Sequence, residues 1–325
     1  MAIFDLVLFI SKIKNSYSLF NIQGYLDISK PGTMKRNIIY IFVLLIVFSS
    51  CSSKSPDLIT VCGFDEVFIA DISTDVPQKV WSWRGEDSEG IPSYMRNKFL
   101  TTDECKTLNK GKNILITSSG GGVAYVERES GNTLFYASVP NAHSAEILAG
   151  NLVATASSYS VEGNRVSIYS LDSSDQVISS DSLFGAHGLY WDAKDNLLWA
   201  LGTNELRSYS LNPDNDPISL KLEYSVALPE LGGHDLVKSF NKKHLLLSTA
   251  SSVWIFDTVD KIFSKHPSLG DIEGVKSLSY SSLSNKLAYV KAGDDLWWAY
   301  YVRFAGSNKV VYFPGEKIYK ARWLY

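Results

Sequence analysis

Residues 186–211 read AHGLYWDAKDNLLWALGTNELRSYSL, and this stretch indicates the architecture because it holds one full copy of a pattern that recurs along the chain. It predicts a strand that opens at His187, an apolar strand over residues 197–202 and an alternating strand over residues 205–211. Polar turns separate these strands, and no helical period is present. The stretch is therefore typical of short antiparallel strands that follow one another directly.

The pattern recurs in NAHSAEILAG, which contains His143, and in GGHDLVKSF, which contains His234. The three histidines are 187 − 143 = 44 and 234 − 187 = 47 residues apart. Weaker copies flank them, and aligning their second strands places Glu104 and Glu273 at the histidine position, 39 residues away in each case. A repeat of roughly 40–50 residues with four short strands is typical of a β-propeller blade.

Six such copies fit between residues 58 and 325, so the sequence predicts an all-β fold, a six-bladed β-propeller. The first copy lacks its innermost strand, whereas residues 318–325 (IYKARWLY) form a strand without neighbours in sequence. We therefore predict that this C-terminal strand completes blade 1. Closing the ring in this way removes the unpaired strand edges that an open ring would expose.

The composition supports one large all-β domain, and it excludes few classes of partner. With 45% hydrophobic and 13% aromatic residues, the chain can bury a sizeable core. A net charge of −3 gives no electrostatic reason to expect nucleic acid. We expect a monomer that binds no nucleic acid.

The N-terminal part of the chain resembles an export signal. Residues 34–50 contain two basic residues and then eleven apolar residues, 38–48, which are too few to span a bilayer. The following FSSC motif resembles a bacterial lipobox, so Cys51 is the predicted lipidation site, with residues 51–57 as a linker. An uncleaved anchor and a plain signal peptide are the alternatives. Lipidation predicts a protein anchored to the bacterial outer membrane, facing the periplasm or the cell surface.

Residues 1–33 precede this signal, where an export signal does not normally begin. We interpret them as a mis-assigned extension and expect the true start at Met34. The alternative is a genuine amphipathic segment.

The repeat predicts where the polar residues lie. The innermost strand of each blade lines the central channel, so the loops that lead into these strands open on one rim. The predicted ligand-binding residues at this channel mouth are His143, His187, His234, Glu104, Glu273 and Trp191. Alternatively, the polar residues hydrogen-bond neighbouring blades and keep the repeat in register. His244 and His266 lie outside the pattern, and we expect them on exposed turns or outer strands.

Three imidazoles beside a carboxylate would suit a divalent metal such as Mn, Zn or Ca, with open positions for chemistry. The candidate metal ligands are His143, His187 and His234. The SSGGG motif at residues 118–122 lacks the helix and lysine of a phosphate-binding loop, so it is predicted to be a tight turn on the mouth rim.

Cys62 and Cys105 fall at the seam between blades 1 and 2. In an oxidising compartment they could form a disulfide, and the alternative is two free, buried thiols.

Several motifs together resemble an uncharacterised group of Bacteroidota lipoproteins, which are predicted six-bladed propellers without an assigned activity. These motifs are CGFDEVFIADI, NAHSAE, GAHGLYWD, LLWALG and GGHDL. The resemblance covers residues 58–325 and implies a propeller in the cell envelope. A more distant similarity, carried by histidine placement alone, is to six-bladed oligogalacturonate lyases, whose channel-mouth histidines hold a metal.

Three functions remain open at this point. The protein could bind a glycan or small ligand at the channel mouth. It could be a metal-dependent polysaccharide lyase that uses the three histidines, with the metal neutralising a uronate carboxylate. It could also be a scaffold that docks an envelope protein. The fold does not choose among them, and whether the protein is an enzyme stays open.

Overall fold

A computed structural model describes residues 57–324, apart from residues 212–217 and 294. The predicted extension (1–33), the signal peptide (34–50) and the lipidation site Cys51 lie outside the described residues, and so does the linker up to residue 56. Within the described part of the chain, no helix has the length and apolar character needed to cross a membrane.

The described residues form 24 strands and one short helix, α1 (Ser93–Arg96), which leads into a 3-10 turn at Asn97–Phe99. The first twelve strands are β1 (Leu58–Gly63), β2 (Glu66–Asp71), β3 (Gln78–Trp83), β4 (Thr102–Leu108), β5 (Asn113–Ser118), β6 (Gly122–Glu127), β7 (Thr133–Ser138), β8 (Ala142–Leu148), β9 (Leu152–Ser157), β10 (Arg165–Ser170), β11 (Ser173–Ser182) and β12 (Gly188–Asp192). The others are β13 (Leu197–Leu201), β14 (Glu205–Leu211), β15 (Leu220–Ala227), β16 (Leu236–Lys238), β17 (His244–Ser248), β18 (Val253–Asp257), β19 (Phe263–Lys265), β20 (Val275–Ser281), β21 (Lys286–Lys291), β22 (Tyr301–Phe304), β23 (Val310–Tyr312) and β24 (Lys320–Trp323).

These strands form six antiparallel four-stranded sheets, which confirms the six-bladed β-propeller. Blades 2 to 6 each use four consecutive strands, beginning at β4, β8, β12, β16 and β20. Blade 1 has the order β24-β1-β2-β3, so its innermost strand comes from the C-terminal part of the chain. β24 pairs antiparallel with β1, with Trp323 opposite Ile59 and Lys320 opposite Cys62. The predicted closure of the ring is therefore confirmed.

Asparagine shapes the turns between the first and second strands of four blades. Asn109, Asn151, Asn196 and Asn285 all have positive φ, between 51° and 60°. Asparagine tolerates this left-handed conformation better than most residues, because its short side chain can hydrogen-bond locally. The polar turn of the opening stretch is thus one copy of a turn that the propeller uses repeatedly.

The hydrophobic core is divided among the seams between neighbouring blades. Second strands are buried on both faces, and every residue of β5 (NILITS) and β9 (LVATAS) is buried. Six apolar clusters each join two adjacent blades around the ring. At the seam of blades 1 and 2, Met95 and Phe99 from the α1 segment add to this core. Burial of this apolar surface holds the blades together.

The channel is filled at its centre by an arginine from the closing strand. Arg322 donates its Nε–H and one Nη2–H to the two carboxylate oxygens of Glu104 on blade 2, both at 2.7 Å. It donates two further bonds of 2.7 Å to Asp235 on blade 5 and one of 2.6 Å to the Leu278 carbonyl on blade 6. All five guanidinium donors are therefore used, which is the most that an arginine can make.

Lys320 completes this group, which we call the channel network (Glu104, Asp235, Lys320 and Arg322). Lys320 Nζ lies 3.1 Å from Asp235 and 3.4 Å from Glu104, and the four side chains are almost wholly buried. Burial alone would raise the pKa of Glu104, but Arg322 and Lys320 outweigh it and lower that pKa to about 2. The same two cations hold the pKa of Asp235 well below its ordinary value against the effect of burial. Two anions and two cations thus leave the network neutral.

A partly buried lysine, Lys106, connects the remaining blades. Lys106 on β4 donates to Glu146 at 2.6 Å and to the Ser144 hydroxyl at 3.2 Å, both on blade 3. It also donates to the Leu189 carbonyl of blade 4 at 2.7 Å. Arg322 and Lys106 together therefore connect all six blades across the channel.

Replacing Arg322 by methionine should destabilise the propeller strongly, since Glu104 and Asp235 would then share only Lys320. Removing one partner of a buried ion pair costs about 3–5 kcal/mol, because a buried charge is left uncompensated. Urea unfolding of Arg322→Met measures this loss. Arg165→Met is the matched control, because Arg165 lies exposed at the start of β10. Equal unfolding free energies for the two variants would contradict the role of Arg322.

Candidate functional site

Six side chains form a ring where the first strands begin at the channel mouth. The strand registers place one residue of each blade at the same level, opposite the end of its second strand. From blade 1 to blade 6 this mouth ring consists of Tyr319, Asp103, His143, His187, His234 and Lys276. The predicted gathering of the three histidines is therefore present in the structure.

The two glutamates do not occupy the histidine position, contrary to the prediction. Glu104 lies one residue further into the channel than Asp103 and is buried in the channel network. Glu273 lies in the exposed loop before β20, three residues before Lys276. The turn between the first two strands has four residues in blade 2 (109–112) and three in blade 3 (149–151), so aligning the second strands shifts Glu104 by one residue onto His143. Glu273 lies three residues from the ring position, so the alignment of the second strands in blades 5 and 6 was itself out of register.

The three imidazoles contact one another in sequence order. The rings of His143 and His187 stack, with centroids 3.9 Å apart and planes within 16°. His187 and His234 meet edge to face with centroids 5.0 Å apart. His187 Nδ1 also hydrogen-bonds the Ser158 hydroxyl at 3.0 Å, which orients that ring. His187 is buried, whereas His143 and His234 are partly exposed.

Burial keeps two of these histidines neutral. It lowers the pKa of His187 well below the ordinary value, and the neighbouring His143 and His234 add to this effect. For His234, burial and the positive charge of Lys276 lower the pKa to about 3. Lys276 Nζ lies 2.8 Å from His234 Nε2 and has only donors, so Nε2 accepts and the proton of neutral His234 is on Nδ1. That buried Nδ1 has no hydrogen-bond partner within the described residues.

The acidic side of the ring is held by backbone contacts. Asp103 accepts a short hydrogen bond from the Ser119 backbone N–H through Oδ2. Its Oδ1 lies 3.4 Å from His143 Nδ1, a close contact without hydrogen-bond geometry. Burial and the charge of Asp103 raise the pKa of Tyr319 well above its ordinary value, so Tyr319 remains a neutral phenol.

An aromatic surface and a pocket adjoin the ring on the side of blades 6 and 1. Trp297 is 39% exposed, stacks on Phe64 at 5.0 Å and lies 5.7 Å from Tyr319. A pocket of about 280 Å³ lies between Lys276, Trp297 and Glu273. Burial lowers the pKa of Lys276, and this lysine makes no ion pair within 4.0 Å in the described part of the chain. The pocket therefore combines a cation, a carboxylate and an exposed indole face.

The structure does not bring Trp191 to the mouth. Trp191 lies at the far end of β12 and packs against the apolar cluster between blades 3 and 4. Trp297 on the mouth rim is the exposed tryptophan that adjoins the ring.

The other two histidines lie outside the ring, as expected, but both are partly buried. His244 Nε2 is 3.2 Å from Asp257, and His266 Nδ1 accepts from the backbone N–H groups of Ser268 and Leu269.

Two smaller predictions concern the seam and the rim. Cys62 and Cys105 are adjacent and buried at the seam of blades 1 and 2, but both thiols are free and no disulfide joins them. Burial raises the pKa of the Cys62 thiol well above its ordinary value, and contact with Cys105 adds to the rise. A buried, protonated thiol is chemically inert. The SSGGG motif forms the predicted tight turn between β5 and β6.

The three histidines do not fit a metal ion. No group of three or more His, Cys, Asp or Glu side chains among the described residues is arranged as a metal site. His143 and His187 stack face to face, with His143 Nδ1 beside Asp103 and His187 Nδ1 hydrogen-bonded to Ser158. His234 Nε2 already accepts from an ammonium group, whose charge repels a cation. This arrangement therefore does not favour a metal ion, and the metal site stays a prediction.

Sequence reasoning missed three members of the ring: Asp103, Lys276 and Tyr319. The sequence does contain a signal for the whole ring. Two residues after each ring member, the first strand always carries a buried small or apolar residue. These residues are Cys105, Ala145, Leu189, Leu236, Leu278 and Ala321, all at most 1% exposed. Aligning the copies on this residue would have identified the whole ring.

Comparison with known sequences gives one match. Residues 58–325 match a family described as "Family of unknown function (DUF6528)", which covers the entire propeller. A search of curated proteins finds no match.

Replacing His234 by glutamine should flatten the dependence of stability on pH in mild acid. The folded-state pKa of about 3 lies below the ordinary 6.5, so the unfolded chain takes up the proton first as the pH falls below 6.5. The free energy of unfolding should then fall by up to about 1.4 kcal/mol per pH unit for this group. Urea unfolding of wild type and His234→Gln between pH 7.5 and pH 4.5 measures the difference in slope, and identical slopes would contradict a neutral, buried His234.

Proposed function

We propose that this chain, which belongs to the DUF6528 family, is a cell-envelope propeller that binds a glycan or another small polar ligand at its channel mouth. The mouth ring carries the proposal, because it places the neutral imidazoles of His187 and His234 and the ammonium of Lys276 beside the exposed face of Trp297. Convergent polar groups with shifted pKa values beside an aromatic surface are typical of ligand sites.

Neutral imidazoles suit hydroxyl-rich ligands. Each neutral ring has one donor and one acceptor, so it can hydrogen-bond a sugar hydroxyl in either direction without the cost of burying a charge. His234 Nδ1 supports this proposal, because a buried donor without a partner costs free energy that a ligand or water would recover. Trp297 adds an apolar face on which a sugar ring could stack.

Lys276 favours a ligand with an acidic group. It has no carboxylate partner within 4.0 Å in the described residues, and burial already makes its charge costly. A carboxylate on the ligand, such as that of a uronate, would compensate this charge through a charge-assisted hydrogen bond. We therefore expect acidic glycans to bind more tightly than neutral ones.

The channel network restricts the ligand to the mouth. Arg322 and Lys320 fill the channel below the ring, so a ligand meets a closed floor at Glu104 and Asp235. A metal-dependent lyase is not favoured, since the histidines do not fit a metal, and we assign no catalytic residue.

A scaffold that docks an envelope protein is the second candidate. Large apolar side chains are exposed on the mouth rim at blades 3 and 4, where Tyr159 and Phe184 lie 5.1 Å apart and Leu231 is 67% exposed. Exposed aromatic residues of this kind are frequent in protein interfaces.

Ligand binding is tested by calorimetric titration of the protein with acidic and neutral oligosaccharides. Lys276→Gln should weaken binding of an acidic ligand about tenfold or more, as expected for a lost charged hydrogen bond. Trp297→Ala should weaken acidic and neutral ligands alike. Lys243→Gln, on the opposite rim, is the matched control and should bind as wild type does. Equal affinity of Lys276→Gln and wild type for acidic ligands would contradict the proposed role of Lys276.

We also propose that Cys51 carries a lipid and that translation starts at Met34. The support is the sequence of residues 34–51, with its basic residues, short apolar run and FSSC motif. Together they favour anchoring in the bacterial outer membrane.

Cys51→Ser should block lipidation and leave an unprocessed precursor. Its intact mass should correspond to a chain that begins at Met34, and labelling with a fatty-acid analogue should disappear relative to wild type. A precursor that retains Met1, or a variant that is still labelled, would contradict the proposal.

A further inference from the structure

The rim opposite the mouth carries a concentration of positive charge. We call it the basic rim and define it by the turns that join first and second strands in blades 2 to 6. The exposed lysines of these turns are Lys110, Lys112, Lys194, Lys242 and Lys243, and Asp195 is their one acidic residue.

The mouth side has the opposite character. The turns between second and third strands carry Asp65, Glu162 and Asp295, and they contain no lysine or arginine among the described residues. The turns between third and fourth strands lie on the same rim as the lysines and carry both signs of charge, with Asp75, Glu129, Asp172 and Asp260 against Arg128, Lys261 and Lys309. The charge asymmetry along the channel axis therefore lies in the inner turns. An anionic surface would attract the basic rim and repel the mouth-side turns.

Two large apolar side chains project from the same basic turns. Phe240 is 72% exposed and Leu283 is 84% exposed, on the turns of the neighbouring blades 5 and 6. Phe240 lies 5.8 Å from the ring of Tyr280, and a pocket of about 410 Å³ lies between Phe240, Lys242 and Tyr280. Apolar side chains beside lysines suit the boundary between lipid headgroups and acyl chains.

The described chain begins at this rim. β1 starts at Leu58 and runs toward the mouth, where Gly63 leads into the turn at Phe64. Asp57 is six positions after Cys51, and six residues can span at most about 20 Å. A lipid on Cys51 would therefore hold the basic rim close to the bilayer. This step rests on the proposed anchor, whereas the charges and apolar side chains do not.

We propose that the basic rim lies on an anionic phospholipid surface, with the mouth ring facing away from the membrane. The lysines contact lipid phosphates, and Phe240 and Leu283 insert at the headgroup level. The attraction of these lysines to such a surface is electrostatic and falls off within a Debye length. The ligand site is then presented to the aqueous compartment.

Lysine labelling tests this orientation directly. The full chain is studied in detergent, in vesicles of phosphatidylethanolamine with phosphatidylglycerol, and in phosphatidylcholine vesicles. A water-soluble amine reagent is applied, and labelled peptides are quantified by mass spectrometry. We expect Lys110, Lys242 and Lys243 to be labelled several-fold less in the anionic vesicles than in detergent. Lys317, which is exposed on the mouth side, should be labelled equally in both.

Two variants separate the contributions. Lys242→Glu with Lys243→Glu should restore labelling of Lys110 in anionic vesicles, and Phe240→Ser should restore it partly. Lys317→Glu is the matched control and should leave the protection of Lys110 unchanged. Protection of Lys317 in place of Lys242 would overturn the proposal. Equal labelling on both rims of a vesicle-bound chain would overturn the orientation alone, whereas a chain that does not associate with vesicles would contradict both the orientation and the proposed anchor.

Discussion

The arrangement of the six blades depends on the buried charge of Arg322. Its five donors reach two carboxylates and a carbonyl on blades 2, 5 and 6, so one side chain of blade 1 determines how close opposite blades approach. The apolar clusters at the seams hold each blade to its neighbours, but they do not connect blades on opposite sides of the channel. Lys106 connects blade 2 to blades 3 and 4 in the same way. A charge group of this kind contributes more to a unique geometry than to net stability, because desolvation offsets much of its attraction.

The channel network also sets the chemistry of the mouth ring above it. With Glu104 and Asp235 already compensated, no free carboxylate remains below the ring to stabilise a protonated histidine. Burial and the nearby cations therefore keep His187 and His234 neutral. Two neutral imidazoles above a closed, charge-balanced network are suited to recognising polar groups. The structure thus connects the stability of the ring with the properties of its candidate site.

The sequence was sufficient for the fold, because the repeat and its four-strand pattern are local signals. The missing first strand of blade 1 and the isolated strand IYKARWLY even predicted how the ring closes. The site was harder, since the turn between the first and second strands differs in length between blades 2 and 3, and the second strands do not show this difference. Arg322 could not be assigned at all, because its partner Glu104 lies 218 residues away and belongs to no shared motif. Trp191 does not reach the mouth for a simpler reason. Its position along β12 puts it at the opposite end of the channel.

The pairing of β24 with β1 links residues that are 264 positions apart, as in Ile59 with Trp323. Blade 1 therefore cannot be completed until β24 is synthesised, after the other twenty-three described strands. Until that strand is in place, Glu104 and Asp235 lack both Lys320 and Arg322. The channel network therefore cannot yet hold the ring closed. Closure of the ring should consequently be a late step of folding, and a chain interrupted before this strand should be unable to complete blade 1.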